Sequence, residues 1–147
     1  IISEGCTFPI YAQGELPTAE AVELYTSDTN SILMGTHSFW QGIDLPGDLL
    51  RGVILTKLPF AVPDSPVIRA KVEKIEAHGE NPFYTLQVPE AVIKFKQGFG
   101  RLIRSKTDYG IVAVLDSRIQ KKSYGKLFLQ SLPECSIIQS LAELVKS

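Results

Sequence analysis

The chain has 147 residues, 44% of them hydrophobic and 21% charged, a composition that fits one globular domain with a substantial core and argues against a disordered chain. A formal net charge of −1 excludes a global positive field that would draw the protein to nucleic acid, so any such contact must be local. No apolar run reaches membrane-span length and the amino end lacks the basic start and cleavage site of a signal peptide, which predicts a cytoplasmic protein without a membrane partner.

In chain order, residues 7–12 (TFPIYA) read as a short strand that Pro9 confines to an edge or a beginning. Gln13-Gly14 turns the chain into a helix over 17–25 that starts near Thr18. Residues 31–36 (SILMGT) form an apolar run suited to a buried strand, which leads into 37–44 and then the turn signal Leu45-Pro46-Gly47-Asp48. Residues 51–58 (RGVILTKL) read as another strand, with Val53, Ile54 and Leu55 consecutive as in a strand covered on both faces. Three prolines make 59–66 an extended loop.

Residues 67–77 then show helical spacing with Gly79 as a stop, and Asn81-Pro82 begins a second loop. Pro89 suits the first turn of the next helix, which runs on to about residue 105. Beyond Asp108-Tyr109-Gly110, residues 111–115 (IVAVL) are the cleanest buried strand, with Asp116 and Arg118 just past its end. Residues 124–132 predict a helix ended by Pro133, and 140–145 a closing one. Strands alternating with helices predict a three-layer α/β domain with a mainly parallel sheet, in which ligands bind beyond the carboxyl ends of strands.

Cys6 and Cys135 lie far apart without a CxxC or Cys/His neighbour, and His37 and His78 are isolated, so neither a metal site nor a nucleophilic triad is indicated. The segment 97–105 (QGFGRLIRS) is more informative. At about 100° per residue Gln97, Arg101 and Arg104 share roughly 60° of one helical face, while Val92, Phe95, Phe99, Leu102 and Ile103 gather opposite. Ile93 breaks the polar side and Lys96 the apolar one. Three convergent donors suit a bound anion; the alternative is a surface helix whose arginines meet scattered carboxylates. Gly98 and Gly100 each cost about 1 kcal/mol in a helix, which points to a close approach at that face.

Two segments carry a family resemblance: 38–46 (SFWQGIDLP) with 57–60 (KLPF), and QGFGRLIRS followed by Asp116-Ser117-Arg118. Together they resemble motifs V and VI of the second motor domain of superfamily 2 DNA helicases of the DinG and XPD group, and bacterial DinG-like proteins most closely. The likeness covers roughly residues 10–133 in the family's order. It implies a RecA-like domain, of the fold shared with P-loop NTPases, that closes over ATP and its Mg²⁺ against a first RecA-like domain, moving 5′ to 3′ on single-stranded DNA as a monomer in a repair or replication-conflict setting. By position Arg104 resembles the arginine finger, and Gln97 and Arg101 would hold the γ-phosphate. Asp44, with Gly42, matches the acidic motif that reaches the nucleotide or couples it to DNA; an aspartate before a turn can equally accept local backbone bonds. Ser38 and Thr36 resemble hydroxyl positions on the DNA backbone, with strand-end capping as the alternative, and Trp40 stacks either on a base or in the core.

A motor ATPase also needs the phosphate-cradling loop GxxxxGK[ST] and an acidic metal-binding box, and neither occurs in these residues. The resemblance therefore implies an upstream first domain in a longer protein, where an iron–sulfur cluster would also sit, because two cysteines cannot supply four ligands. The rival reading is a RecA-like module kept for protein contacts or anion binding after loss of catalysis. A free-standing nucleotide-binding α/β enzyme comes last, since no glycine-rich dinucleotide loop is present.

Overall fold

The computed structural model describes residues 5–36, 45, 49–62, 65–102, 109–140 and 143. The chain is mixed α/β. Its described elements are β1 (Ile10–Ala12), α1 (Thr18–Ser27), β2 (Ile32–Met34), β3 (Gly52–Leu55), α2 (Pro66–Ala77), a π-helical turn (Phe83–Gln87), α3 (Val88–Leu102), β4 (Ile111–Val114), α4 (Arg118–Lys121) and α5 (Gly125–Gln130). All four strands pair in parallel, as expected, in two separate two-stranded sheets: β1 with β2, and β3 with β4. Ile10 lies opposite Ile32 in the first pair and Leu55 opposite Val114 in the second. Parallel neighbours need crossover connections, and α1 provides the one between β1 and β2.

β1 is shorter than its apolar run. Pro9 has no N–H to give to a ladder, so the strand begins after it, although the Pro9 carbonyl still accepts a bond from Ile32 N at 2.9 Å. β3 departs from the expected two-sided burial. Leu55 is 3% exposed and Val53 packs on the core, whereas Ile54 between them is 67% exposed. The period of two in a strand sends alternate side chains to opposite faces, and the core of this chain covers one face of the pair.

α2 ends as expected at Gly79, whose φ of 76° is open to glycine. Gly79 N donates to Glu76 O and Glu80 N to Ile75 O, the double bond pattern that closes a helix on a left-handed residue. The loop expected at Asn81-Pro82 is brief. The next helix starts there, and five residues wind as a π turn before Pro89. A proline ring crowds the carbonyl four residues back and offers no N–H, so a locally wider turn upstream accommodates it. Pro89 is the second residue of α3, but the helical segment runs unbroken from Pro82, so this proline lies within a helix and not in the opening turn the sequence indicated.

The core lies where α3 and α5 meet the second strand pair. Leu55, Leu58, Val88, Ala91, Phe95, Ile119, Tyr124 and Phe128 form one buried cluster. Aromatic rings hold its middle: Phe128 meets Phe95 edge-on at 5.4 Å between centroids and Phe60 at 5.9 Å, and Phe60 stacks on Phe83 at 5.6 Å. The helix predicted over 124–132 is α5, and the short α4 before it carries no sequence signal of its own. Gly125 permits the tight join between them, because a Cβ there would lie 2.6 Å from the Ile119 carbonyl carbon. The closing helix predicted over 140–145 falls largely outside the described residues.

Candidate nucleotide and nucleic-acid site

α3 is the element that presents the polar face. Val88, Ala91, Phe95, Phe99 and Leu102 are buried along one side, at 0–8% exposure, and Gln97 is exposed on the other. Ile93 is exposed, as its break in the polar side implied, and Lys96 is exposed too despite its place on the apolar side. Glu90 in the first turn and Arg101 in the last complement the helix dipole.

Gln97 and Arg101 stand one turn apart on this face, and neither has a hydrogen-bond or ion-pair partner among the described residues. The carboxylate-paired arginine of the alternative reading is therefore not found at Arg101. Gly98 is buried, and a Cβ on Gly100 would meet nothing within 4 Å, so the close approach expected there is not made at Gly100 by described residues. Arg104 lies outside the described residues, as do Ser38, Trp40, Gly42 and Asp44.

Thr36 is described, just past the end of β2. Its N–H donates to Gln13 Oε1 at 2.8 Å and its hydroxyl to the same oxygen at 3.0 Å. Gln13 in turn sits just past β1 and donates its own N–H to Met34 O at 2.8 Å. The carboxyl ends of two adjacent parallel strands are thus tied through one side chain. Sequence reasoning named Thr36 and saw Gln13 only as part of a turn.

The Asp116 carboxylate is the other feature that spacing did not reveal. Its Oδ2 accepts from Leu58 N at 2.9 Å, its Oδ1 from Arg118 N at 3.1 Å, and the Arg118 guanidinium grips both oxygens, with Nε 2.9 Å from Oδ1 and Nη2 2.6 Å from Oδ2. The Arg118 guanidinium also lies 5.3 Å over the Phe60 ring. This knot fastens the KLPF loop to the end of β4, joining two motifs that are 58 residues apart. Bonds from Arg118 and, against the pull of burial, from Leu58 N hold the Asp116 carboxyl far below its ordinary value of 3.8. Folded Asp116 thus releases its proton more readily than unfolded Asp116. Its contribution to stability is complete above about pH 4 and is lost as pH falls below that value. Urea titrations between about pH 5 and pH 2 should show stability falling with acid, with a shallower fall in Asp116→Asn. Asp116→Ala, which strands the Leu58 N–H, should cost about 2 kcal/mol at pH 7. A wild-type slope retained in Asp116→Asn would assign the acid sensitivity to another group.

Among the described residues no group of three or more His, Cys, Asp or Glu could hold a metal, and no helix is long and apolar enough to cross a membrane. Cys6 and Cys135 are free thiols.

Comparison with known proteins gives the polar face its context. The family model described as Helicase C-terminal domain matches residues 3–135. The chain is 44% identical over 137 residues to the ATP-dependent DNA helicase YoaA of Haemophilus influenzae, covering 93% of this chain and 21% of that protein. It is 56% identical over 103 residues to the ATP-dependent DNA helicase DinG of Photobacterium profundum, covering 70% of this chain and 15% of the relative. It is 46% identical over 116 residues to the 3′-5′ exonuclease DinG of Bacillus subtilis, covering 79% and 12%. The chain thus spans about a fifth or less of the length of these relatives. With the motif segments, the matched span and these identities in agreement, the chain belongs to the helicase C-terminal domain family, in the group that includes DinG and YoaA.

Proposed function

We propose that this chain is the second motor domain of an ATP-dependent DNA helicase and supplies half of an ATP site whose phosphate-cradling half belongs to a first RecA-like domain of the same polypeptide. The observation that carries the reading is the outward face of α3, where Gln97 and Arg101 have no partner among the described residues while the opposite face is locked into the core. The two strand pairs then belong to one central sheet of a three-layer RecA-like domain, whose further layer covers Ile54 and Ile111, 67% and 51% exposed here.

In this reading Arg101 and the Gln97 amide donate to γ-phosphate oxygens, and Arg104, three residues on, is the arginine finger that stabilises charge on the transferring group. Asp44 and Gly42 adjoin the nucleotide. Ser38, Thr36 and Trp40 line part of the path for single-stranded DNA, which the protein follows 5′ to 3′ as a cytoplasmic monomer. Mg²⁺ accompanying the nucleotide finds no ligand cluster among the described residues, and no role assigned to this chain runs through it. The work left to this chain is positioning: buried Phe95, Phe99 and Leu102 hold the helix so that its donors are aimed before the nucleotide arrives.

The test compares the 147-residue domain with the full-length protein. Full-length protein should hydrolyse ATP with stimulation by single-stranded DNA, and the domain alone should show neither hydrolysis nor unwinding. Stoichiometric, DNA-stimulated turnover by the purified domain would overturn the half-site reading. The exonuclease name of the Bacillus subtilis relative favours one second reading, a non-catalytic module in a helicase-exonuclease protein. Its signature would be a full-length protein that degrades DNA without ATP turnover.

A further inference from the structure

The Thr36 hydroxyl is committed as a donor to Gln13, which changes what the ends of β1 and β2 can offer a nucleic acid. A phosphodiester oxygen only accepts, so a contact to it needs an available proton. Thr36 directs both its N–H and its hydroxyl proton to Gln13 Oε1, at 2.8 and 3.0 Å. A backbone N–H can only donate, so the Gln13 atom facing it must be the carbonyl oxygen, and the orientation of the amide follows without ambiguity. With both Oε1 lone pairs engaged, the Nε2 amino group is turned away from Thr36. No hydrogen bond engages Nε2 among the described residues, and the residue is exposed.

The Gln13 main chain is held as well, by its N–H bond to Met34 O and by the bridge to Leu16. The result is a pre-oriented pair of N–H donors at the carboxyl ends of two parallel strands, where ligands of such sheets bind. We propose that Gln13, rather than the Thr36 hydroxyl, donates to a phosphodiester of the bound single strand, and that Thr36 is the positioning residue that aims it. This rests on the assignment of the DNA path to this end of the strands. The contact reads backbone and not base, so it serves movement along any sequence.

Gln13→Glu is the decisive variant, because a carboxylate accepts from Thr36 as the amide does and so keeps the local fold, while an acceptor with negative charge replaces the donor. In full-length protein, fluorescence anisotropy with labelled oligothymidine should show about tenfold weaker binding, and the same loss for a mixed-sequence strand. Thr36→Val should weaken binding less. Gln13→Ala combined with Thr36→Val should be no worse than Gln13→Ala alone, because the two act through one contact. Wild-type affinity in Gln13→Glu alongside weakened binding in Ser38→Ala would overturn the role of Gln13 and leave the DNA path standing. If the unaltered full-length protein does not bind single-stranded DNA, the underlying reading falls instead.

Discussion

Alanine in place of Arg104 is expected to lower DNA-stimulated ATP hydrolysis by the full-length protein about 10³-fold or more, with nucleotide affinity changed far less. Phosphoryl transfer leaves little covalent work to the protein, so the rate depends on charge aimed at the transferring group. A guanidinium in that role is worth far more in the transition state, where charge spreads over the equatorial oxygens, than in the ground state. Lysine should not restore the rate, because a point charge on a flexible stem cannot reproduce a planar fork. Arg101→Ala and Gln97→Ala should fall more on nucleotide binding, since both are assigned to holding the γ-phosphate. Steady-state turnover and equilibrium nucleotide binding, measured on the same preparations, separate the two effects. Near-normal hydrolysis by Arg104→Ala would remove the finger from this position.

Phe128→Ala is expected to destabilise the fold by about 3–5 kcal/mol. Phe128 is 0% exposed, and its ring lies 5.4 Å from Phe95, 5.9 Å from Phe60 and 6.3 Å from Tyr124, so truncation opens a cavity among side chains from three different segments. Rings so interlocked relax only partly into the space, and the cavity adds to the lost transfer free energy. The consequence reaches the candidate site, because Phe95 is the residue of α3 that Phe128 braces and Gln97 follows it by two positions. The same change at Phe8, which is 53% exposed, should alter stability by no more than about 0.5 kcal/mol. Urea midpoints for the two variants provide the comparison, and equal shifts would mean that the aromatic cluster is not the stabilising centre.

Much of this arrangement follows from local chemistry. The spacing of Phe95, Phe99 and Leu102 against Gln97 and Arg101 states which side of α3 is buried, because a helix period near 3.6 converts sequence distance directly into direction. Gly79 stops α2 for a reason contained in one residue, its tolerance of positive φ. The family, too, was readable from the short segments 38–46, 57–60 and 97–105, and the comparisons agree with it.

Other features were settled by contacts between distant segments. Val53, Ile54 and Leu55 look alike in a hydrophobic run, and only the position of the core decides that Leu55 is buried and Ile54 is not. Asp116 and Leu58, like Gln13 and Thr36, meet across 58 and 23 residues respectively, by hydrogen bonds that leave no periodic trace in sequence. By itself, then, the sequence determined the family, through its motif segments, and most of the elements and the buried side of α3, because propensity and periodicity act within a few residues. Tertiary structure alone decided that the Asp116 carboxylate fastens a loop and that the Thr36 hydroxyl is spent on Gln13, because a hydrogen bond depends on where two groups are brought in space.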